Sequence, residues 1–344
     1  MDSTLLVLTI STIAIVLIFE YTNGFHDAAN IIATVIASRA MTPVQSVLLV
    51  AFFEFLGPLL GGTAVANTIG KLITLDDLDR ELALTIVLCG LVGAIAWNLL
   101  TWWRGIPSSS SHALVGGLAG VVVVSAGSSH VAWGFAELLH GELNGVAKVV
   151  AALVLSPVIG FLVGYVLHKT MLRLLRGTHP SINRDLRHLQ FVTSAGLAFS
   201  HGANDAQKSM GILTLVLVLG GFIPTFDVPF WVILSCSLAI TLGILSGGWQ
   251  IVRTLGFSIY KIRPVHALDS QMTAAGVIFS SSLFGAPVST THVVASSIMG
   301  IGASERPKAV RWGKALEIVT AWLITIPGAA LMSICCYLLV QSFI

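Results

Sequence analysis

Charge is what this sequence has least of. Asp, Glu, Lys and Arg make up only 10% of its 344 residues, against about 25% in an ordinary soluble domain. Several functional signatures are absent as well. There is no glycine-rich nucleotide loop, no Gly-x-Ser-x-Gly elbow and no His-Glu-x-x-His pair, which removes the common hydrolase and ATPase chemistries. No polar stretch is long enough to hold a soluble ATP-hydrolysing domain, so any uphill work must draw on an ion gradient. The alternating apolar-polar pattern of a transmembrane barrel is missing too. The four cysteines, Cys89, Cys236, Cys335 and Cys336, lie in apolar stretches without Cys-x-x-Cys spacing, and read as small core side chains.

What remains is apolar sequence. Hydrophobic residues reach 55%, in recurring runs of about 20, enough to cross a hydrocarbon core of roughly 30 Å. The chain reads as an all-α polytopic membrane protein. The first run has no basic residue before it and no small-residue cleavage site, and is expected to be a retained helix. Membrane segments are expected near 4–40 (broken at 23–27), 43–66, 82–103, 107–127, 146–168, 191–222 (broken at 200–208), 228–249, 272–284, 287–302 and 315–340.

Basic residues set the sidedness. The loops 169–190, 250–271 and 303–314, with Arg39, hold 13 of the 18 Lys and Arg. Loops 71–81 and 128–148 hold three, beside the carboxylates of Asp76, Asp77, Asp79, Glu81, Glu137 and Glu142. The first set is expected in the cytoplasm, with both termini outside a plasma membrane. Segments 82–103 and 107–127 then start and end outside, and 272–284 and 287–302 start and end inside. Each pair reads as a re-entrant helical hairpin.

The sequence also repeats. "GFHD" at 24–27 parallels "GAND" at 202–205, and "GIPSSSSH" at 105–112 parallels "GAPVSTTH" at 285–292. Two motifs in the same order at nearly the same separation signal a duplication. Residues 1–168 form an N-terminal transmembrane repeat, 169–190 a basic connecting loop, and 191–344 a C-terminal repeat. With three crossings in the first half, the second is inverted relative to it, the arrangement in which secondary transporters place a site near the midplane.

The motif residues suit such a site. Asp27 and Asn30 share a helix face, and a carboxylate with an amide oxygen makes a hard oxygen site for a cation or proton. The break expected at 23–27 would add freed backbone groups. In the hairpin tips, Pro punctuation and hydroxyl clusters open helices whose first amides suit an anion. Lys208, three residues after Asp205, either pairs with a carboxylate or holds an anion. His26 and His201 read either as proton relays or as neutral donors, and His112 and His292 as structural donors. Glu54 and Arg104 are candidates for an internal ion pair. Gly116-xxx-Gly120 reads as close helix packing.

The stretches "NGFHDAANIIATVIASRAM", "WNLLTWWRGIPSSSSHALVGG", "SHGANDAQKSMGILTL" and "GAPVSTTHVVASSIMG" together resemble the inorganic phosphate transporter family, of the bacterial low-affinity phosphate:cation symporter type, over nearly the whole chain. The resemblance implies phosphate:cation symport, an inverted-repeat helical fold with two hairpins, and a homodimer. Carried over residue by residue, the coupling-cation positions are Asp27, Asn30 and Asp205. The phosphate positions are Ser109, Ser110 and Ser111 with Ser289, Thr290 and Thr291, joined by Asn204 and Lys208. Where sodium-coupled members tend to have Asn, this chain has Lys208, and it has His26 where they have small residues. A fixed cation at 208 would occupy the place of a second Na⁺, which looks like the bacterial members that move protons with phosphate or with a neutral metal–phosphate complex. Proton coupling is therefore expected. Under the alternative, Na⁺ coupling, Asp27 and Asp205 are the metal ligands.

No other cofactor and no nucleic acid is implied, only phosphate, the bilayer and a second copy. Other readings are a sulfate permease of the same fold, an anion channel, and a membrane hydrolase using Asp27 and Asp205. A protonated phosphate can donate a hydrogen bond to either carboxylate and sulfate cannot, so phosphate is expected.

Overall fold

Apolar side chains force each segment to satisfy its backbone internally, and almost every segment does so as a helix. The computed structural model describes residues 3–343. Its α-helices are α1 (Ser3–Ala37), α2 (Pro43–Leu60), α3 (Ala64–Gly70), α4 (Arg80–Trp103), α5 (Ser110–Ser125), α6 (Phe135–Leu139) and α7 (Gly145–Leu174). After a short link come α8 (Ile182–Leu219), α9 (Phe230–Ser246), α10 (Trp249–Arg253), α11 (Pro264–Leu283), α12 (Thr290–Glu305) and α13 (Trp312–Gln341). Helices α1, α2, α4, α7 and α13 are each long and apolar enough to cross a membrane. This is a membrane protein.

Two expectations need correction. The motif-bearing segments are not broken: α1 is helical through 23–30 and α8 through 200–208. At 35 and 38 residues they are about 52 and 57 Å long at 1.5 Å per residue. Polar residues in mid-helix need no break when partners arrive from neighbouring elements, and here they do. The connecting loop is also shorter than 169–190, because α7 runs on to Leu174 and α8 begins at Ile182.

The two halves pack reciprocally. Helix α1 lies on α9 and α8 on α2, while α5 lies on α13 and α12 on α7. The motif glycines explain the first pair of contacts. A Cβ on Gly24 would sit 2.2 Å from the Ile240 carbonyl oxygen, and one on Gly202 would sit 2.4 Å from that of Glu54. Gly116 and Gly120 do the close packing expected of them, against Ile326 and Ala330 of α13.

The hairpin turns are built alike. Gly105 (φ 64°) and Gly285 (φ 61°) end α4 and α11 in the left-handed region. In the first turn Gly105 N–H bonds Trp102 O and Ile106 N–H bonds Thr101 O. In the second, Gly285 bonds Ser282 and Ala286 bonds Ser281. This Schellman pattern closes each first arm. Proline then leads into the second arm, which Ser109 and Ser289 cap by accepting from His112 N–H and His292 N–H.

The hairpins open toward opposite ends of the molecule. At one end Leu8 of α1, Glu81 of α4 and Tyr337 and Gln341 of α13 line a common cavity. At the other, Ser38 donates to Gln190 over 2.7 Å, Gln271 to Thr34 over 3.1 Å, and His168 to Asp269 over 2.6 Å. The bases of α4–α5 and α11–α12 therefore lie at opposite ends, yet their tips touch: Ser111 Oγ donates to Val288 O over 3.3 Å. Full crossings entering from opposite faces would put those tips roughly 30 Å apart. The two tips thus meet between the two ends of the molecule.

Candidate functional site

The tips meet beside the motif faces of α1 and α8, and the centre they form is shut away. Asp27 and Asn30 are 1% exposed, Asp205 0% and Lys208 2%. Asp27 is the hub. Ser110 of α5 donates to its Oδ2 over 3.1 Å, Thr291 of α12 donates to its Oδ1 over 3.1 Å, and His26 Nδ1 lies 3.0 Å from Oδ1. One carboxylate thus ties together the N-terminal turns of two helices from opposite hairpins. Asn30 donates to Thr291 (2.9 Å) and Thr290 (3.4 Å), leaving its own Oδ1 unpartnered.

The amides of Ser110, Ser111, Thr290 and Thr291 begin their helices and have no intrahelical acceptor. Two helix N-termini, each carrying partial positive charge, face one buried centre lined with hydroxyls. Such a place suits an anion, held without a full charge from the hairpins.

Asp205 does not mirror Asp27. Lys208 Nζ donates to its Oδ1 over 2.5 Å and to Val288 O over 3.3 Å. The ammonium takes the place that hydroxyls hold around Asp27. The other carboxylate oxygen, Oδ2, is unpartnered and lies 3.7 Å from His201 Nε2. His201 Nδ1 is 2.7 Å from Glu54 Oε1. With Nδ1–H donating there, a neutral His201 turns its Nε2 lone pair toward Asp205. A proton on that nitrogen, or a cation between the groups, would satisfy both. One ligand atom each from Asp27, His201 and Asp205 lie within 4.8 Å of one another.

The remaining expected residues divide. His26 Nε2 lies 3.2 Å from Ser108 Oγ and 3.3 Å from Thr101 Oγ1, joining Asp27 to the first hairpin's turn. Asn204 donates to Ser282 Oγ (2.9 Å) and Ala286 O (3.2 Å), tethering the second turn, and keeps Oδ1 unpartnered. Ser109 and Ser289 act as helix caps. Glu54 pairs with His201 and not with Arg104, which sits over the Trp103 ring at 5.2 Å; the expected internal pair does not form. The imidazoles of His112 and His292 lie tilted against each other at 4.7 Å between centroids, His292 stacks on Trp322, and His112 Nδ1 has no partner. Thr101 and Ser108 were missed, although both are hydroxyls adjoining the Gly-Pro turn.

A model described as the phosphate transporter family matches residues 23–333. The chain belongs to the phosphate transporter family. A probable low-affinity inorganic phosphate transporter of Bacillus subtilis (strain 168) is 41% identical over 339 residues, covering 98% of each chain. One of the same description from Rhizobium meliloti (strain 1021) is 42% identical over 340 residues, again with 98% of each covered. A solved structure described as the sodium-dependent phosphate transporter superposes with a TM-score of 0.86 and 23% identity, covering 98% of this chain and all of that one. At that identity the likeness is one of fold. Family and relatives are transporters and not enzymes, which sets aside the hydrolase reading of Asp27 and Asp205.

Proposed function

We propose that this protein is a secondary symporter that carries inorganic phosphate at the hairpin tips and couples it to protons. The observation that carries the phosphate part is the Asp27 carboxylate, which accepts Ser110 from one hairpin helix and Thr291 from the other. Phosphate entering there meets first-turn amides and hydroxyls from both sides, and as a protonated anion it can donate to Asp27. Lys208 joins the anion set by lying against Val288 at the second tip.

Lys208 also supports protons as the coupling ion. Its ammonium already neutralises Asp205, and the next donor in reach is an imidazole, a ligand that takes a proton more readily than it takes hard Na⁺. Coupling then runs through Asp27, Asp205 and His201, with His26 passing protons toward the hairpin hydroxyls. Binding at the tips favours closure of one hairpin and opening of the other, which exposes the site alternately to the two faces. The basic end, with Arg39 and the loops after α7, α10 and α12, is cytoplasmic by the positive-inside rule.

The test is equilibrium binding of labelled phosphate to the purified protein, with sulfate as competitor. Saturable binding that is lost in Asp27→Asn, weakened in Thr291→Ala and insensitive to sulfate is expected. Binding displaced equally by sulfate would overturn the substrate, and unchanged binding in both variants would overturn the site.

A further inference from the structure

A second polar group lies along α1, away from the phosphate centre and unused by it. Glu20 is fully buried, two helical turns before Asp27 and on the same face. Ser209 of α8 donates to its Oε2 over 2.5 Å, while Oε1 has no partner. Asn23, one turn on and 1% exposed, lies within reach of the Glu20 carboxylate, and neither of its amide atoms makes a close hydrogen bond elsewhere. Asn98 of α4, one turn before the Thr101 that meets His26, is also fully buried with both amide atoms unpartnered.

The second half has no counterpart to this arrangement. The repeat partner of Asn23 is His201, which is occupied by Glu54, and that of Glu20 is Ala198. No ion pair to Glu20 is found among the described residues. The charged groups in electrostatic reach on α8 are Asp205 and Lys208, which pair with each other. On α9 the Cys236 thiol faces it.

A carboxylate enclosed without a counter-ion must be neutralised. Its neighbours here suit a proton. The Asn23 amide can donate Nδ2–H to an ionised Glu20, or turn and accept the O–H of a protonated one. Ser209 can likewise donate to one form and accept from the other. We propose that Glu20, with Asn23 and Ser209, is a second proton station on α1, which takes up and gives out the coupling proton on the side of Asp27 nearer the helix N-terminus. It sits roughly 10 Å from Asp27 along the axis, seven residues at 1.5 Å each.

This rests on the proton-coupled reading, and the experiment separates the two. Wild-type and Glu20→Gln proteins are reconstituted side by side and assayed for phosphate accumulation under an imposed pH gradient. Phosphate:phosphate exchange, which needs no net proton movement, is measured in the same vesicles. Glu20→Gln should keep exchange and lose accumulation above equilibration. If wild-type ignores the pH gradient, the proton-coupled reading fails and the station with it. If wild-type responds and Glu20→Gln matches it, only the station fails. If the variant loses both activities, Ser209→Ala decides: the acid stays but loses its donor, and the pH profile of driven uptake should shift. An unchanged profile would overturn the proposal.

Discussion

Lys208→Asn should convert the coupling ion. In the wild-type protein the Lys208 ammonium lies 2.5 Å from Asp205, with side chains 2% and 0% exposed. Removing one partner of such a pair leaves a buried, uncompensated charge, which costs about 3–5 kcal/mol. At 1.4 kcal/mol per tenfold, that is roughly two to four decades in an equilibrium constant. Asp205 in the variant must recover this by binding a proton or a metal ion, and Na⁺ fits the vacated oxygen site. The variant should therefore melt lower than wild-type in choline buffer and regain stability as Na⁺ is added. A ligand at 100 times its Kd contributes about 2.7 kcal/mol. Melting curves in Na⁺ and in choline, for both proteins, read this directly, and uptake under each gradient should move from pH-driven to Na⁺-driven. An identical Na⁺ response in wild-type and variant would mean that Lys208 does not stand where a cation binds.

Other outcomes follow from the same contacts. Asp27→Asn should abolish coupled uptake while the protein still folds, since the amide keeps the shape but not the charge; near-normal uptake would remove Asp27 from the cation path. Ser110→Ala and Thr290→Ala should each raise the phosphate concentration at half-maximal uptake, a loss of about 1.5–3 kcal/mol for one hydrogen bond to a charged group. Gly202→Val places its Cβ against the Glu54 carbonyl oxygen and should lower stability by about 1–3 kcal/mol or more, read as a drop in melting temperature. Unchanged melting would mean that α2 and α8 can separate freely.

Much of the fold was legible because duplication and charge placement are properties of the sequence itself. The paired motifs located both helix–turn–helix tips, which the structure brings into contact through Ser111 and Val288. Helix continuity through 23–30 was not legible. A polar patch in an apolar helix reads alike whether its partners are freed backbone groups or side chains from elsewhere, and here Ser110 and Thr291 come from 83 and 264 residues away. The Glu54–His201 pair, 147 residues apart, was hidden for the same reason. Asp27, Asp205, Lys208 and the tip hydroxyls stand out in the sequence because a charge or hydroxyl cluster at membrane depth needs an explanation. How few partners surround Glu20 shows only in the structure.

Proton-coupled transport requires the two-hairpin centre to accumulate phosphate at the expense of a proton gradient. Labelled phosphate uptake into proteoliposomes, under an imposed pH gradient with Na⁺ absent and under a Na⁺ gradient with pH equal, tests it most directly. Accumulation driven by the pH gradient alone is the predicted result. Accumulation driven only by Na⁺ would keep the phosphate site and contradict the role given to Lys208.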